Sequence, residues 1–475
     1  MPPMNHRLMG IAAALLIAFG IIAFSLTYWG VFAPDLLNRE DNPRRVEAER
    51  AIGRGAIYDR AGERLAWSDE VGVSPSGLPV FVRSYSPTPQ PFAVIGYASL
   101  RYGVGGIEAA FDPELRGTLG RAESDRFWGE FFHQPPHGAS LQLTLDADLQ
   151  RRLYAAFGSR HGAAVVIELP SGAVRALVTV PGVDPSVLEN TFETLAKDPA
   201  APLLNRALQG DYQPGGALQP LILAALLNAD PAPPPIPTEA GDPSATLTIG
   251  ALRLACLSVP PTPLETLDQA LRYGCPTPFA AAFAADWERA DEVWATLTNM
   301  GLTQTPSLSR LPTASGRIPA VWGELGDPLR LQREVVGQGA LTVTPLQMAL
   351  ATAILAQDGA ALTPYLVTAV YPPERDATAD ITRYGEAPSP YSLTPLPLET
   401  AVITAAAAGG VRAAMPPQAG VDHAHTAIAY TGASSQVWFL GFGESPDGRT
   451  WVIAIVVEES DQVDEAVRVA AAGFR

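Results

Sequence analysis

A hydroxyl or thiol becomes a nucleophile only when a neighbouring base takes its proton, and lysine or histidine is the usual partner. The search for such a pair narrows quickly here, because Lys197 is the single lysine among 32 lysine and arginine residues. Thr194 precedes it by one helical turn, which would put hydroxyl and amine on one face. Its neighbours Glu193, Asp198 and Pro199 read as exposed loop, so Lys197 is expected to be a solvated side chain. Cys275 is a second candidate nucleophile, but Gly274 and Pro276 supply no base, and a structural thiol is expected. Cys256 and Cys275 together read as two separate buried thiols, the common fate of free cysteine, with a single bridge as the alternative in an extracytoplasmic domain. Two cysteines cannot build a four-ligand zinc site, and His133 with His137, or His423 with His425, lack a carboxylate or cysteine at ligand spacing. No metal and no other cofactor is expected. Neither a Gly-x-Ser-x-Gly elbow nor a His-Glu-x-x-His pair occurs in the chain.

The elements that must position such residues begin with Leu8 to Phe32, LMGIAAALLIAFGIIAFSLTYWGVF, which carries no charge and can span roughly 30 Å of hydrocarbon as a helix. It closes on Tyr28 and Trp29, residues suited to a membrane interface, and is too long for the core of a cleaved signal. The expectation is an uncleaved single span over residues 8–32 behind a cytoplasmic tail, 1–7. Arg7 precedes the span while Arg39, Arg44 and Arg45 follow it among Glu40 and Asp41, so charge alone does not fix the orientation. A net charge of -17 and a 47% apolar composition describe an acidic globular chain and argue against a nucleic-acid partner.

After the span, residues 34–139 are rich in Gly, Pro and Arg and read as a first, smaller domain, with His133 to Gly138 as a linker. Phe127, Trp128, Phe131 and Phe132 are read as core or inter-domain packing. Residues 140–475 read as a second domain. Asp146 can cap a helix whose apolar face is Leu149, Leu153 and Phe157. AAVVIEL and AVRALVTV, joined by Pro170-Ser171-Gly172, read as a hairpin. Leu218 to Leu227 and the run around Leu346 to Leu355 are apolar on more than one face and should be buried helices, whereas Pro231 to Pro237 and Val259 to Pro263 must be loop. TAIAYTG, QVWFLGFG and TWVIAIVVEE read as a meander, and Val463 to Ala472 as a closing helix. The fold class is α+β.

Several ordered stretches now resemble one family. Asn42-Pro43-Arg44, Arg54-Gly55-Ala56-Ile57-Tyr58-Asp59-Arg60 and Leu65-Ala66 are similar to the opening of class B penicillin-binding proteins. Ile95-Gly96-Tyr97, Gly105-Gly106-Ile107-Glu108 and Leu115-Arg116-Gly117 resemble the remainder of that family's non-catalytic domain. Leu143-Thr144-Leu145-Asp146, Leu204-Asn205-Arg206-Ala207, Tyr212-Gln213-Pro214-Gly215, Gly337-Gln338-Gly339 and Thr344-Pro345-Leu346-Gln347-Met348-Ala349 resemble successive parts of its transpeptidase domain. The resemblance implies a mainly antiparallel sheet flanked by helices, standing outside the cell membrane on a pedestal-like or dimerisation-like domain.

Active members need Ser-x-x-Lys, Ser-x-Asn and Lys-Thr-Gly. The resemblance places the nucleophile's position on Gly216 and the first lysine's on Gln219; glycine has no nucleophile and a neutral amide is no base. The second motif falls on Gly274-Cys275-Pro276, so its serine and asparagine positions hold Gly274 and Pro276. The third falls on Tyr430-Thr431-Gly432, where Tyr430 brings no positive charge and Thr431 and Gly432 leave a strand edge able to accept a peptide. With one lysine in the chain, both lysine-bearing motifs cannot exist anywhere in it. The expected protein is a membrane-anchored pseudoenzyme, a scaffold or regulator among cell-wall synthesis or division proteins. A non-catalytic binder of peptidoglycan stem peptides and an active D,D-transpeptidase are the alternatives. An apolar or tyrosine-lined cleft at Tyr430 would favour the binder, and a cleft filled by Gln219 and its neighbours would exclude it.

Overall fold

The computed structural model describes residues 3–28, 43–86, 92–119, 137–283, 286–372, 391–395, 400–432 and 434–474. An isolated helix α1 (Pro3–Thr27) opens the chain, and its Met9–Thr27 stretch is long and apolar enough to cross a membrane and lies entirely exposed. The remainder of the expected span beyond Tyr28 lies outside the described residues, as do Phe127, Trp128, Phe131, Phe132 and His133.

Helix α2 (Pro43–Arg50) leads into a six-stranded sheet of order β12-β11-β6-β1-β2-β3. Its strands are β1 (Ile57–Tyr58), β2 (Arg64–Val73), β3 (Pro79–Tyr85), β6 (Ser140–Leu143), β11 (Val367–Tyr371) and β12 (Tyr391–Ser392). The sheet therefore draws strands from both sides of residue 139, and β1 runs parallel to β6. A small hairpin, β4 (Ala98–Ser99) and β5 (Gly103–Val104), and a short helix α3 (Gly106–Ala110) complete this lobe. His137 and Gly138 do not behave as a loose linker: the Gly138 N–H donates to the Gly53 carbonyl at 2.8 Å. A Cβ at Gly138 would fall 1.7 Å from the Leu115 oxygen, so only glycine lets the strands meet there.

The second sheet is antiparallel throughout, in the order β13-β14-β15-β7-β8. Its hairpin β7 (Gly162–Leu169) and β8 (Ala173–Val180) is buried along its whole length, which explains why both strands read as continuous apolar runs. The meander β13 (His423–Thr431), β14 (Ser434–Glu444) and β15 (Thr450–Glu458) follows in register from Ala427 opposite Trp438 to Trp438 opposite Val456. Helix α4 (Ala147–Phe157) starts where the Asp146 carboxylate accepts from the Leu149 N–H at 2.9 Å. It buries Leu149, Leu153 and Phe157 on one face of the sheet beside a terminal helix that begins at Val463. Helix α5 (Leu188–Leu195) flanks the junction between the lobes.

The core on the opposite side of this sheet includes α6 (Gln219–Ala229), in which every residue from Gln219 to Leu227 is buried. Each such large apolar side chain contributes roughly 1.5–3 kcal/mol by leaving water. A hairpin of β9 (Leu247–Ile249) and β10 (Leu252–Leu254) precedes α7 (Leu267–Tyr273), α8 (Pro276–Ala282) and α9 (Pro328–Val335). Helix α10 (Pro345–Ala356) begins with a capping box: Thr344 and Gln347 bond each other's backbone N–H, and Pro345 takes the first helical position. Gln347 also donates to the carbonyls of Leu302 and Gln304, which explains the Thr-Pro-Leu-Gln run in physical terms. The chain ends with α11 (Val463–Gly473).

Cys256 and Cys275 correct the expectation of two separate thiols: they form a disulfide with Cα atoms 4.0 Å apart. Sequence separation is silent about this, because the meeting depends on the β9–β10 hairpin folding back onto the α7–α8 corner.

Candidate functional site

Strand β13 is an edge strand, and the turn carrying Gly215 and Gly216 packs against it. Gly215 has φ +54, the left-handed region, and a Cβ there would sit 2.5 Å from the Ala429 Cβ and 2.6 Å from the Ile428 oxygen. Its N–H donates to the Gly337 carbonyl at 2.9 Å. Gln213 clamps the turn from behind: its amide nitrogen donates to the Gly337 carbonyl at 2.7 Å, and its backbone oxygen accepts from Gln436 and from the Trp438 indole at 2.6 and 2.9 Å. Glu334 holds the far side by accepting from the backbone N–H groups of Ala340 and Leu341, and burial raises its carboxyl above the ordinary range. Arg206 and the Tyr212 hydroxyl both donate to Glu458 at the end of β15. Burial first, and the Glu458 charge second, push the Tyr212 phenol well above its usual value.

Gly216 is half-buried beside this frame. A Cβ there would meet only the Ala427 Cβ at 3.1 Å and the Gln219 side chain beyond 3.7 Å, so a small side chain is sterically tolerable, but none is present to react. Gln219 is 2% exposed and its amide oxygen has no hydrogen-bond partner among the described residues. His425, unremarked in the sequence beyond its failure as a metal pair, lies under the same turn, where its Nε2–H donates to the Gly216 carbonyl at 2.9 Å. Desolvation lowers its pKa to about 4. It is therefore a neutral structural imidazole, not a base poised near neutrality.

This has a measurable consequence. The folded pKa lies below the ordinary 6.5, so as pH falls the unfolded chain takes the proton first. Stability from this site is full above pH 6.5 and is lost as pH falls from 6.5 toward 4, by about 3 kcal/mol at most. Urea unfolding at pH 7 and pH 4 should give a loss that a His425→Gln variant lacks, the wild-type minus variant difference removing the carboxylates. Identical pH slopes for both proteins would refute the assignment.

The position read as the second motif is covered. Gly274 has φ +62 and caps α7, and a Cβ there would lie 2.9 Å from the Leu257 Cβ. Leu257 is held down by N–H bonds to the carbonyls of Tyr273 and Gly274 and by the adjacent Cys256–Cys275 bridge. Pro276 is buried at the first turn of α8, where its missing N–H costs nothing. Cys275, bonded to Cys256, offers no thiolate.

At the position read as the third motif, Tyr430 is half-buried. Its ring joins an apolar cluster of Leu247, Ile249, Leu252 and Leu254 from the β9–β10 hairpin with Ala280 and Val336. The Gln338 carboxamide, oriented by its neighbours, donates to the Tyr430 carbonyl at 3.0 Å and accepts from the Tyr430 N–H at 3.3 Å. One side chain thus occupies both backbone groups that an added strand would use here. Thr431 and Gly432 lie beyond the cover, exposed. Sequence reasoning passed over this hairpin, although Leu247, Ile249, Leu252 and Leu254 alternate around Gly250 in the manner of two short strands.

Lys197 and Thr194 sit exposed at the end of α5 with the Lys197 N–H on the Thr194 carbonyl, an ordinary helix-end arrangement. Among the described residues no cluster of His, Cys, Asp and Glu is grouped to hold a metal ion.

Residues 162–474 match the family model described as penicillin binding protein transpeptidase domain, and residues 54–141 match that of the penicillin binding protein A dimerisation domain. The chain is 28% identical to peptidoglycan D,D-transpeptidase PbpA of Mycolicibacterium smegmatis, over 97% of this chain and 95% of the relative. It is also 28% identical to the Mycobacterium tuberculosis protein of the same name, over 78% of this chain and 76% of the relative. In fold it matches the ceftriaxone acyl-enzyme complex of penicillin-binding protein A from M. tuberculosis with a TM-score of 0.74 at 23% identity, covering 90% of this chain and 98% of that one. A D,D-transpeptidase domain from Eggerthella lenta matches at 0.70 and 23%, covering 89% and 97%. The antiparallel sheet with its edge strand at Tyr430, the buried helix after Gly216 and the match over residues 162–474 agree: the chain belongs to the penicillin-binding protein transpeptidase family.

Proposed function

We propose that this chain is a membrane-anchored, catalytically silent member of the family, acting in peptidoglycan synthesis or cell division as a scaffold or regulator that binds other proteins. The observation that carries the reading is chemical. The turn that faces β13 presents Gly216 and Gln219, and the single lysine is solvated at the far end of α5. Removing the nucleophile of such a unit forfeits most of its rate enhancement. A bulk outside the membrane, anchored by α1, is supported by the disulfide, which persists in oxidising compartments.

The apolar packing of β9–β10 on Tyr430, the Gln338 amide on its backbone and the buried Gln219 weigh against the stem-peptide binder. An active D,D-transpeptidase, the activity in the relatives' names, remains the reading to test against. The full chain in detergent, incubated with a reactive penicillin, should show no mass increase by intact-mass spectrometry, while an active penicillin-binding protein under the same conditions becomes stoichiometrically acylated. A stoichiometric adduct on this chain would overturn the proposal, and peptide mapping would turn first to Thr194.

A further inference from the structure

A groove of about 520 Å³ lies outside the old cleft, in the first lobe along the outer edge of β3. The β4–β5 hairpin, through Leu100 and Val104, and the segment from Pro185 to Asn190 line it together with β3 and with Ser68 and Val71 of β2. Which backbone groups of β3 face it follows from the ladder. The Ser86 N–H donates to the Leu65 carbonyl, making that pair a hydrogen-bonded one. Antiparallel pairs alternate, so Ser84 and Val82 bond Trp67 and Asp69, while the N–H and C=O of Phe81 and Arg83 point away from β2. Among the described residues no strand lies beyond β3, and those backbone groups have no partner.

The side chains along the edge are apolar yet exposed: Val82 is 49% exposed, Leu100 47% and Val104 39%. Ionic groups nearby are mostly spent. Arg54 and Arg83 bond Glu108, and Arg116 bonds Glu49. Arg50, exposed at the end of α2, lines the groove with no ion-pair partner among the described residues, as does Glu189, which accepts from the Ser99 hydroxyl at 2.8 Å. An unpaired strand edge, apolar side chains along it and one unpaired charge of each sign suit an extended peptide.

We propose that this groove takes an extended peptide segment of a partner protein, added to β3 as a further strand. The segment carries apolar side chains at alternate positions and an acidic residue toward Arg50. A second copy of this chain is a poor occupant, because its own β3 edge is walled in the same way and symmetric edge-to-edge pairing would drive wall into wall. The site does not depend on the silence of the old cleft, so a penicillin adduct would leave it standing.

The test is selection of a random-peptide display library on the full chain in detergent micelles, followed by hydrogen exchange with each synthesised binder. Binders with alternating apolar residues and an acidic one are expected, slowing exchange of the Phe81 and Arg83 amides about tenfold or more. N-methylation of the peptide at one set of alternate residues, but not the other, should abolish binding. Phe81→Pro removes an outward N–H, and Val104→Asp and Arg50→Glu alter the walls without touching the ladder; each should weaken binding about tenfold, or 1.4 kcal/mol. The proposal is overturned if no binder emerges, or if binders tolerate all three variants or both N-methyl patterns. It is equally overturned if those amides are already protected in the free chain, or become protected only as chain concentration rises.

Discussion

Replacing Gly215 by alanine is expected to destabilise the protein by about 2–5 kcal/mol, while the same change one residue later, at Gly216, should stay within about 1 kcal/mol. The contrast follows from where a methyl group would go. At 215 it would lie 2.5 Å from the Ala429 Cβ and 2.6 Å from its Cα, and the backbone holds φ +54. The left-handed conformation costs a non-glycine residue roughly 1–2 kcal/mol, and overpacking adds about 1–3. Neither neighbour can yield, because Ala429 is fixed in the β13–β14 ladder and the turn is bonded to Gly337 and clamped by Gln213. At 216 the nearest atom is a methyl carbon at 3.1 Å, a shift of a few tenths of an ångström. Denaturant unfolding of both variants measures the difference; equal stabilities would mean that the turn is not seated on the strand as described.

Glu108→Gln should cost about 3–5 kcal/mol, through the other lobe. The Glu108 carboxylate is fully buried and accepts from Arg54 at 2.8 Å and from Arg83 at 2.6 Å, whose side chains are 11% and 7% exposed. Desolvation alone would lower the Arg54 pKa, but Glu108 and Asp112 outweigh it and raise it. Removing the carboxylate's charge leaves the two guanidinium groups buried with too little compensation. Arg54 keeps Asp112, so Arg83, whose second terminal nitrogen has no partner among the described residues, bears most of the loss. Thermal unfolding should record the drop. Replacing Glu108, Arg54 and Arg83 together by Met, Met and Leu should recover much of it, since apolar groups of similar volume substitute well for a buried ionic cluster. Failure of the triple variant to exceed Glu108→Gln would show that the loss is not one of uncompensated charge.

Much of the architecture was legible because it rests on local periodicity. The β7–β8 hairpin, the β13–β15 meander, the Asp146-capped helix and the two all-apolar helices each carry their pattern within a dozen or so residues, and the structure places them as read. Residue type was equally legible. Gly216, Gln219 and Tyr430 lack a nucleophile, a base and a cation wherever they lie, and a chain with one lysine cannot fill two lysine-bearing motifs.

What only tertiary structure decided are the relations between distant segments. The Cys256–Cys275 bridge, Leu257 over Gly274, the β9–β10 hairpin on Tyr430, Gln338 on its backbone and His425 beneath Gly216 join segments whose meeting no local pattern encodes. The unpaired edge of β3 is of the same kind, since a strand's sequence does not say whether a neighbour will lie beside it. Side-chain chemistry is carried by single residues and survives in one dimension. Burial, pairing and occlusion are properties of surfaces brought together, and they exist only once the chain has closed on itself.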